Sequence, residues 1–291
     1  MTRIDDKVQK NSSDYLFICD FSPPKSSKDD ALNSVLNITA DFISVAYNPG
    51  RSVAINSLIA AYCLKSQLGK NVLFTLAARD YNILAAQSLI VSAELLGLEN
   101  VILLQGDDFS DSDLNYVTDM RDSTTTNLIR SISNLNNGID YKGNEIESPT
   151  NLCIGSTLDL QKDIVSAVEL AHKKITAGTD FLISQPHFSP RLIQDFNEDY
   201  FNRYDHEINV PIFHGIQVMT ENSITFSSIP DWIGSDLSKG RSGIDISLQI
   251  LHELSSLDIK TFYLMPPIIS GGARDYVSAQ EVINVFTKQT Q

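Results

Sequence analysis

Two aspartates in this sequence stand directly after short apolar segments, at places where a carboxyl group can take part in chemistry. Asp20 follows the segment 15–19, and Asp107 follows the segment 101–104 after a Gln-Gly pair. Such apolar segments are typical of strands that are buried on both faces, so each strand is expected to deliver a charged side chain to the end of a sheet. A carboxyl group in that position can donate or accept a proton, or stabilise a positive charge.

Further polar residues follow other apolar segments and form, with the two aspartates, a candidate ring of strand-end residues. Gln185 either binds a ligand through an amide that both donates and accepts, or satisfies backbone groups of its own loop. His214 either reaches a ligand or is a structural histidine. Arg79 and Asp80 are adjacent in sequence, and an internal ion pair that fixes their loop is the simpler interpretation. Tyr47 ends the second apolar segment.

Eight strands, most of them followed by a helix, are needed to position this ring. Strict alternation of strands and helices leaves two architectures, an open doubly wound sheet or a closed barrel. Eight units in 291 residues favour a (β/α)8 TIM barrel, whose active residues lie at the carboxyl ends of the strands. No GxGxxG motif follows the first strand, which argues against a Rossmann nucleotide site. The predicted strands span 15–19, 41–47, 72–77, 101–104, 151–155, 180–184, 210–213 and 260–264.

One domain is expected from the length and pattern of the chain. Residues 1–13 are predicted to be a flexible polar N-terminus, and residues 14–291 a single catalytic barrel. A helix is expected near 28–37, after the first strand. The polar region 108–149, which contains a short helix near 128–132, is either a lid over the site or a mobile loop.

Composition and charge restrict the class of protein and its partners. With 42% hydrophobic and 20% charged residues, and no apolar stretch of the ~20 residues that a membrane helix needs, the sequence is typical of a soluble globular protein. The polar first residues lack the apolar region of a secretory signal, so we expect a cytoplasmic protein. A formal net charge of −14 repels nucleic acid and favours solubility. The three cysteines lie in apolar segments, where neither a disulfide nor a zinc site is expected. A homo-oligomer is possible.

Several segments together resemble the methylenetetrahydrofolate reductase family, from about residue 15 to the C-terminus. The segment 20–25 resembles the Glu-Phe-Phe-Pro-Pro segment of that family, and 43–47 resembles its second strand. The segment 104–107 resembles its Arg-Gly-Asp motif at the end of strand four. The most specific match is 175–185, which resembles an Ala-Gly-Ala segment that ends in Thr-Gln, and 262–264 resembles the Phe-Tyr-Thr of strand eight.

The resemblance implies reduction of 5,10-methylenetetrahydrofolate, or a related methylene-pterin, to the 5-methyl form in one-carbon metabolism and methionine biosynthesis. Asp20 stands where the family has its catalytic Glu, an acid that helps to open the bridged ring to an iminium ion and needs a pKa raised by burial. Asp is one methylene shorter, so the pocket is tighter or the acid acts through a water. Asp107 and Gln185 match the residues that face the pterin, and Tyr47 and His214 are placed with them as substrate-binding residues.

The positions that contact FAD in most members of the family agree less well. Thr75 stands where the family has His, and Gln105 where it has the Arg before Gly106. A His and an Arg at these positions would form charge-assisted hydrogen bonds to the dinucleotide. Losing each of these bonds removes roughly 1.5 to 3 kcal/mol of binding free energy. Lys174 and Tyr116 still match. We therefore expect hydride to pass directly from NAD(P)H, or from a deazaflavin-like donor, to the folate substrate, with FAD as an uncertain cofactor.

The loop that follows the eighth strand departs from the usual Asn-Arg of the family. Gly271, Gly272 and Arg274 either form an anion site for the nucleotide at a helix start, or make a tight turn in which Arg274 pairs with a nearby carboxylate. Two other functions remain open. One is a catalytically inactive folate-binding or regulatory subunit of a reductase complex, and the other is a barrel enzyme of unrelated chemistry.

Overall fold

Eight parallel strands close into a barrel in which each strand pairs with the next along the chain, and the eighth pairs with the first. The computed structural model describes residues 2–11, 14–28, 30–120, 124–161, 163–220, 223–225, 229–269 and 272–290. The predicted (β/α)8 barrel is thus confirmed. The strands are β1 (Leu16–Phe21), β2 (Phe42–Val45), β3 (Val72–Ala77), β4 (Asn100–Leu104), β5 (Cys153–Leu158), β6 (Phe181–Pro186), β7 (Ile212–Gln217) and β8 (Thr261–Met265).

Helices surround the barrel and one helix precedes it. In the described residues they are α1 (Ile4–Lys10), α2 (Ser57–Leu68), α3 (Ile83–Leu95), α4 (Thr125–Asn136), α5 (Ile164–Thr176), α6 (Pro190–Tyr204), α7 (Asp231–Ser238), α8 (Gly243–Ser255) and α9 (Tyr276–Thr290). The prediction of a helix near 28–37 is wrong for the described residues, which form only a 3-10 turn at Asn33–Val35. Asn and Ser side chains there compete for backbone hydrogen bonds and disfavour a helix. No helix in the described ranges is long and apolar enough to cross a membrane.

Side chains along each strand alternate between the barrel interior and the layer of helices. Ile18, Phe42 and Ile183 pack together inside the barrel, whereas the neighbours of Ile18 in sequence face the helices. Because side chains two positions apart share a face, Asp20 and Gln185 continue the inward rows of β1 and β6 at their carboxyl ends. The alternation therefore directs both polar side chains towards the mouth of the barrel.

Helix α1 closes the opposite end of the barrel. Ile4 is fully buried in the interior cluster, and its backbone N–H donates to Oδ1 of Asn100 at 2.8 Å. Lys7 forms an ion pair with Asp41 at 3.3 Å, just before β2. Residues 4–10 of the segment predicted to be a flexible N-terminus thus form a helix that packs on the barrel. An isolated apolar residue, Ile4, supplies the packing that this polar segment was expected to lack.

The long segment between β4 and α4 lies beside the mouth. Arg51, which follows β2, forms an ion pair with Asp113 at 3.0 Å and donates to the backbone oxygen of Asp108 at 3.0 Å. Residues 121–123 lie outside the described part of the chain. Arg51 thus connects the described part of this segment to the loop that follows β2.

Candidate active site

A cavity of about 650 Å³ lies at the carboxyl ends of the strands, within the range that is usual for small-molecule sites. It is lined by residues of β1 to β6 and of β8, and of the loops that follow β2, β3, β4, β5 and β8. The cavity-lining residues that the sequence singled out are Asp20, Tyr47, Thr75, Arg79, Gln105, Gly106, Asp107, Gln185 and Arg274. Residues distant in sequence therefore share one hollow, as expected for a barrel.

Asp20 is held by two donors inside this cavity. The hydroxyl of Tyr263 donates to its Oδ1 at 2.7 Å, and Nη2 of Arg274 lies 3.1 Å from its Oδ2. The side chains of Asp20 and Arg274 are each only 7% exposed. Of the two interpretations of the loop after β8, this geometry matches the one in which Arg274 pairs with a nearby carboxylate, and that carboxylate is the candidate acid.

A hairpin-like loop after β8 places Arg274 at this position. Ile268 and Arg274 form an antiparallel bridge, and Nε of Arg274 donates to Oγ of Ser22 at 3.0 Å. Gly272 turns the loop with a φ of 82°, but it is exposed and does not line the cavity. Gly271 lies outside the described residues. Among the described residues of this loop, Arg274 rather than Gly272 lines the cavity.

Tyr263 is a site residue that the sequence reasoning missed as such. Tyr263 lies at the centre of β8, and its phenol forms hydrogen bonds with the side chains of Asp20 and Ser44. Burial, followed by the charge of Asp20, raises the pKa of Tyr263 well above its usual value, so the phenol stays protonated and donates. The signal in the sequence is the alternation in β8, which puts a polar-tipped Tyr on an inward-facing position.

Arg79 fixes the loop that carries Asp107. Its guanidinium forms two bonds with Asp80, at 2.7 and 2.9 Å, so the predicted ion pair is confirmed. The same group donates to the backbone oxygen of Asp107 at 2.7 Å and lies 4.2 Å from the ring centre of Phe109. Gly106 has a φ of 84°, and a Cβ there would lie 3.1 Å from Cβ of Arg79. The backbone is therefore locked, while the carboxylate of Asp107 is exposed to the mouth.

An irregularity in the pairing of β6 with β7 lies beside Gln185. The register between β6 and β7 shifts between Ile183 and Pro186, so an additional residue is accommodated on β6. Oγ of Ser184 accepts from the backbone N–H of Gly215 at 2.8 Å and donates to the backbone oxygen of Gln185 at 3.0 Å. These bonds hold the backbone on both sides of the shift and leave the amide of Gln185 exposed in the cavity lining.

His214, which the sequence analysis placed among the substrate-binding residues, does not line this cavity. Phe213 occupies the inward position on β7, and the next side chain must therefore face the helices. There His214 is 5% exposed, and its Nδ1 lies 3.1 Å from Nε2 of the fully buried His187. Burial lowers the pKa of His187 to about 4 and that of His214 to about 3, so both rings are neutral near pH 7.

The residues assigned to FAD by resemblance do not form a site that fits this cofactor. Oε1 of Gln105 accepts from Thr125 at the start of α4, at 3.3 Å from its N and 3.1 Å from its Oγ1. Lys174 is buried and donates to a backbone oxygen of β5 at 2.5 Å, and Tyr116 is 90% exposed on a loop outside the cavity lining. Thr75 lines the cavity but carries no charge. Of these four residues only Lys174 is charged, and it is engaged with β5, so they do not replace the Arg and His of the family.

In the residues that the structure describes, no group of three or more His, Cys, Asp or Glu side chains is arranged to hold a metal ion. The side chains that line the cavity can transfer protons, form hydrogen bonds and stabilise charge.

Solved structures with the same fold match all or nearly all of this chain. An uncharacterised protein from Clostridium thermocellum, described as binding two copies of 5-methyl-5,6,7,8-tetrahydrofolic acid, is 14% identical; the match covers 97% of this chain and 98% of that one, with a TM-score of 0.66. A 2,3-dimethylmalate lyase of the PEP mutase/isocitrate lyase superfamily is 11% identical, with 100% and 88% covered and a TM-score of 0.53. At these identities the likeness shows a shared fold alone.

Sequence comparison identifies the family directly. A comparison with curated proteins finds no match. The model of the family described as methylenetetrahydrofolate reductase, however, matches residues 3–254, which include the three strand-end residues Asp20, Asp107 and Gln185. This match spans most of the chain, and the chain therefore belongs to the methylenetetrahydrofolate reductase family.

Proposed function

We propose that this protein reduces the methylene group of 5,10-methylenetetrahydrofolate, or of a related methylene-pterin, to the 5-methyl group by hydride transfer. The observation that carries the proposal is the meeting of Asp20, Asp107 and Gln185 in one cavity of about 650 Å³. Family membership supports it. The similar protein from Clostridium thermocellum is described as binding 5-methyltetrahydrofolate, which is the product of this reaction.

The reaction needs one proton and one hydride. In the substrate the methylene carbon bridges N5 and N10 of the reduced folate. Asp20 gives a proton to N10, the bond between N10 and the methylene carbon breaks, and a cationic iminium group remains at N5. The methylene carbon then accepts a hydride from C4 of a reduced nicotinamide. The products are 5-methyltetrahydrofolate and the oxidised nicotinamide nucleotide, and atoms and electrons balance.

Each of the three side chains has a distinct part in this scheme. The Tyr263 hydroxyl orients the carboxyl group of Asp20 through its bond to Oδ1. Asp107, on a loop whose backbone Arg79 holds at 2.7 Å, accepts from N–H groups of the pterin and stabilises the positive charge of the iminium. Gln185 presents an amide that donates to and accepts from the pterin edge at once.

A nicotinamide nucleotide is the proposed direct hydride donor. The positions that would bind FAD are occupied by an amide engaged with α4, a buried lysine and an exposed tyrosine. Direct transfer requires no resident cofactor. A reduced deazaflavin is the second donor to be tested, because it also delivers a hydride.

A catalytically inactive folate-binding or regulatory subunit is the second candidate function. The ion pair of Asp20 with Arg274 favours it, since the guanidinium already occupies the Oδ2 side of the proposed acid. Under this alternative the cavity binds folate and the protein has no turnover of its own.

One set of measurements separates these functions. The purified protein is assayed without oxygen for methylenetetrahydrofolate-dependent oxidation of NADH, NADPH or reduced deazaflavin, and calorimetry measures binding of 5-methyltetrahydrofolate. Turnover in the native protein that is lost in Asp20→Asn, with folate binding retained, supports the reductase. Binding without turnover for any donor supports the inactive subunit. Absence of binding overturns both, and a stoichiometric flavin in the visible spectrum overturns direct transfer.

A further inference from the structure

A second cavity, of about 590 Å³, lies on the outer side of the barrel at the amino ends of β7 and β8. Phe201 of α6 forms one wall, and Ile212 and His214 on the outer face of β7 form another. The segments 207–210 and 258–261, which precede β7 and β8, supply further lining residues. We call this the α6–β7 cavity. It shares no described lining residue with the candidate active site, which lies at the carboxyl ends of the strands.

A gap in the helix layer leaves this part of β7 partly uncovered. Helix α5 packs closely against α6, and α8 against α9, whereas α6 and α8 pack less closely on one another. In a (β/α)8 barrel the ring of helices normally covers the outer faces of the strands. Part of the outer face of β7 therefore borders open space.

His214 is a buried polar side chain that lines this cavity. The residue is 5% exposed, and its Nδ1 lies 3.1 Å from Nε2 of His187. The other ring nitrogen of His214, Nε2, keeps contact with solvent and has no hydrogen-bond partner among the described residues. Since His214 lines the α6–β7 cavity, Nε2 is the side-chain atom that it can offer to a ligand there.

The histidine pair indicates that Nε2 of His214 is a donor. Nδ1 of His187 is buried and has no hydrogen-bond partner in the described part of the chain. An N–H at that atom would be a buried donor without an acceptor, which is rare in native proteins. The proton of neutral His187 therefore lies on Nε2 and is donated to Nδ1 of His214. Neutral His214 then carries its own proton on Nε2, where it is available to an acceptor in the cavity.

The rim of the α6–β7 cavity is acidic. Glu198, Glu207 and Asp258 line it, against one basic residue, Lys260. Lys260 lies 3.2 Å from Asp258, and the two glutamates are exposed at the rim. A cationic group is therefore attracted to this cavity, and a carboxylate or phosphate is repelled.

Apolar side chains form much of the remaining wall. Ile208, Ile212 and Ile259 are partly buried and pack against the core, and Phe201 on α6 is 47% exposed. An apolar body in the cavity removes surface from water against these side chains, and the ring of Phe201 offers a face to a cation. Apolar walls with a few polar groups are typical of small-molecule sites.

We propose that the α6–β7 cavity binds a small organic cation that has an apolar body and a hydrogen-bond acceptor. The carboxylates of Glu198 and Glu207 attract the cationic group, and the apolar body packs against Phe201. The acceptor receives the Nε2 proton of His214. Folates carry carboxylates of their own, so this site is independent of the proposed reaction, and its test does not depend on turnover.

Tyramine, a phenol that carries a primary amine on a short chain, is the probe for this site. Tyrosol has a neutral hydroxyl group in place of the amine, and 4-hydroxyphenylacetate has a carboxylate. Calorimetry with the full chain at pH 7 is expected to show affinity that falls from tyramine to tyrosol to 4-hydroxyphenylacetate, in steps of about threefold or more. Absence of tyramine binding up to about 5 mM overturns the proposal, as does an equal affinity for the anion.

Two matched double variants locate the cation. Glu198→Gln/Glu207→Gln is expected to weaken tyramine binding about threefold or more and to leave tyrosol binding unchanged. Glu145→Gln/Glu281→Gln removes the same two charges at exposed positions outside the cavity lining, and is expected to leave tyramine binding unchanged. Unchanged tyramine affinity in the first variant overturns the proposal. Equal weakening by both variants also overturns it, because the net charge of the protein would then attract the cation.

The hydrogen bond from His214 has its own test. His214→Phe keeps a ring but lacks the Nε2 donor, so tyramine affinity is expected to fall about twofold to tenfold. Nitrogen-15 NMR of the imidazole rings tests the same contact in the native protein, whether or not this variant folds. The Nε2 signal of His214 is expected to shift when tyramine is added, and that of His252, on α8 outside the cavity lining, to stay unchanged. An unshifted His214 signal overturns the proposal.

Discussion

The guanidinium of Arg274 lies 3.1 Å from the carboxylate of Asp20, and each of the two side chains is only 7% exposed. Removing one partner of a buried ion pair leaves the other charge uncompensated, at a typical cost of about 3 to 5 kcal/mol. We expect Arg274→Met to lower the free energy of unfolding at pH 7 by an amount of this order, measured by urea denaturation. The double variant Asp20→Asn/Arg274→Met is expected to lose less than the sum of the single variants, and additive losses would contradict the pair.

The same pair is expected to affect the pH dependence of turnover. Under the proposed mechanism Asp20 donates the proton, and Arg274 is the cation in direct contact with it. The pH profile of kcat/KM is therefore expected to differ between the native protein and Arg274→Met. Steady-state assays across pH measure this. Tyr263 donates to Asp20, and Cys19 and Tyr276 lie near enough to feel its charge, but burial raises the pKa of each, so none of them titrates near neutral pH.

A control for this pH shift is available on the surface. Arg241 pairs with Asp236 at 2.9 Å with both side chains about one-third exposed, and neither lines the cavity. Arg241→Met is expected to leave the pH profile unchanged. An equal shift in both variants would mean that the net charge of the protein, rather than the contact with Asp20, sets the profile.

Tyr263→Phe removes the hydroxyl that donates to Oδ1 of Asp20 at 2.7 Å. A hydrogen bond to a charged group contributes about 1.5 to 3 kcal/mol, so we expect a loss of stability of this order in thermal unfolding. Because the phenol orients the acid, kcat is expected to fall while KM for folate changes little. A variant with native kcat would show that the bond has no part in catalysis.

The buried histidine pair is expected to make the protein less stable in acid. The pKa of His187 is about 4 and that of His214 about 3, below the value of about 6.5 expected in the unfolded chain. The unfolded state thus binds more protons between these values, so the contribution is complete above pH 6.5 and is lost as the pH falls towards 4. His187 alone accounts for roughly 3 kcal/mol.

Urea denaturation between pH 7 and pH 4 measures this effect. His187→Asn, which does not titrate, is expected to flatten the decline in stability. His206→Gln is the matched control, because His206 is exposed and should leave the decline unchanged. An unaltered slope in His187→Asn would assign the acid sensitivity to other groups.

Gly106→Ala is expected to disturb the loop that presents Asp107. The substitution places a Cβ 3.1 Å from Cβ of Arg79 at a φ of 84°, and such strain costs about 1 kcal/mol or more. Folate affinity is expected to fall, measured by calorimetry. Gly143→Ala has nearly the same φ, 87°, with no atom within 4 Å of the added Cβ. Equal effects of the two variants on folate binding would exclude the close approach as the cause.

The barrel and the convergence of Asp20, Asp107 and Gln185 were predictable because strand ends in a closed parallel sheet meet at one edge. The orientation of His214 was not, because the predicted strand ended at 213, whereas β7 continues to Gln217. A histidine in mid-strand is assigned to a face by alternation, and there Phe213 already faces inward.

The pairing of Asp20 with Arg274 had only a partial signal in the sequence. The sequence allowed Arg274 to pair with some carboxylate, but the choice of Asp20 depends on the loop geometry that bridges Ile268 and Arg274. The shift in β6 near Gln185 is equally local, since it depends on the hydroxyl of Ser184 and the close approach of Gly215. The hydrophobic periodicity of the sequence predicts neither the ion pair nor the shift.

The position of α1 has a consequence for how the chain folds. The backbone N–H of Ile4 finds its acceptor in Asn100, 96 residues later, and Arg3 donates to the backbone oxygen of Asn151 at a separation of 148. During synthesis α1 can therefore dock on the barrel only after about half of the barrel has left the ribosome. Contacts between such distant segments slow folding, so closure of this end of the barrel by α1 is expected to be a late folding event.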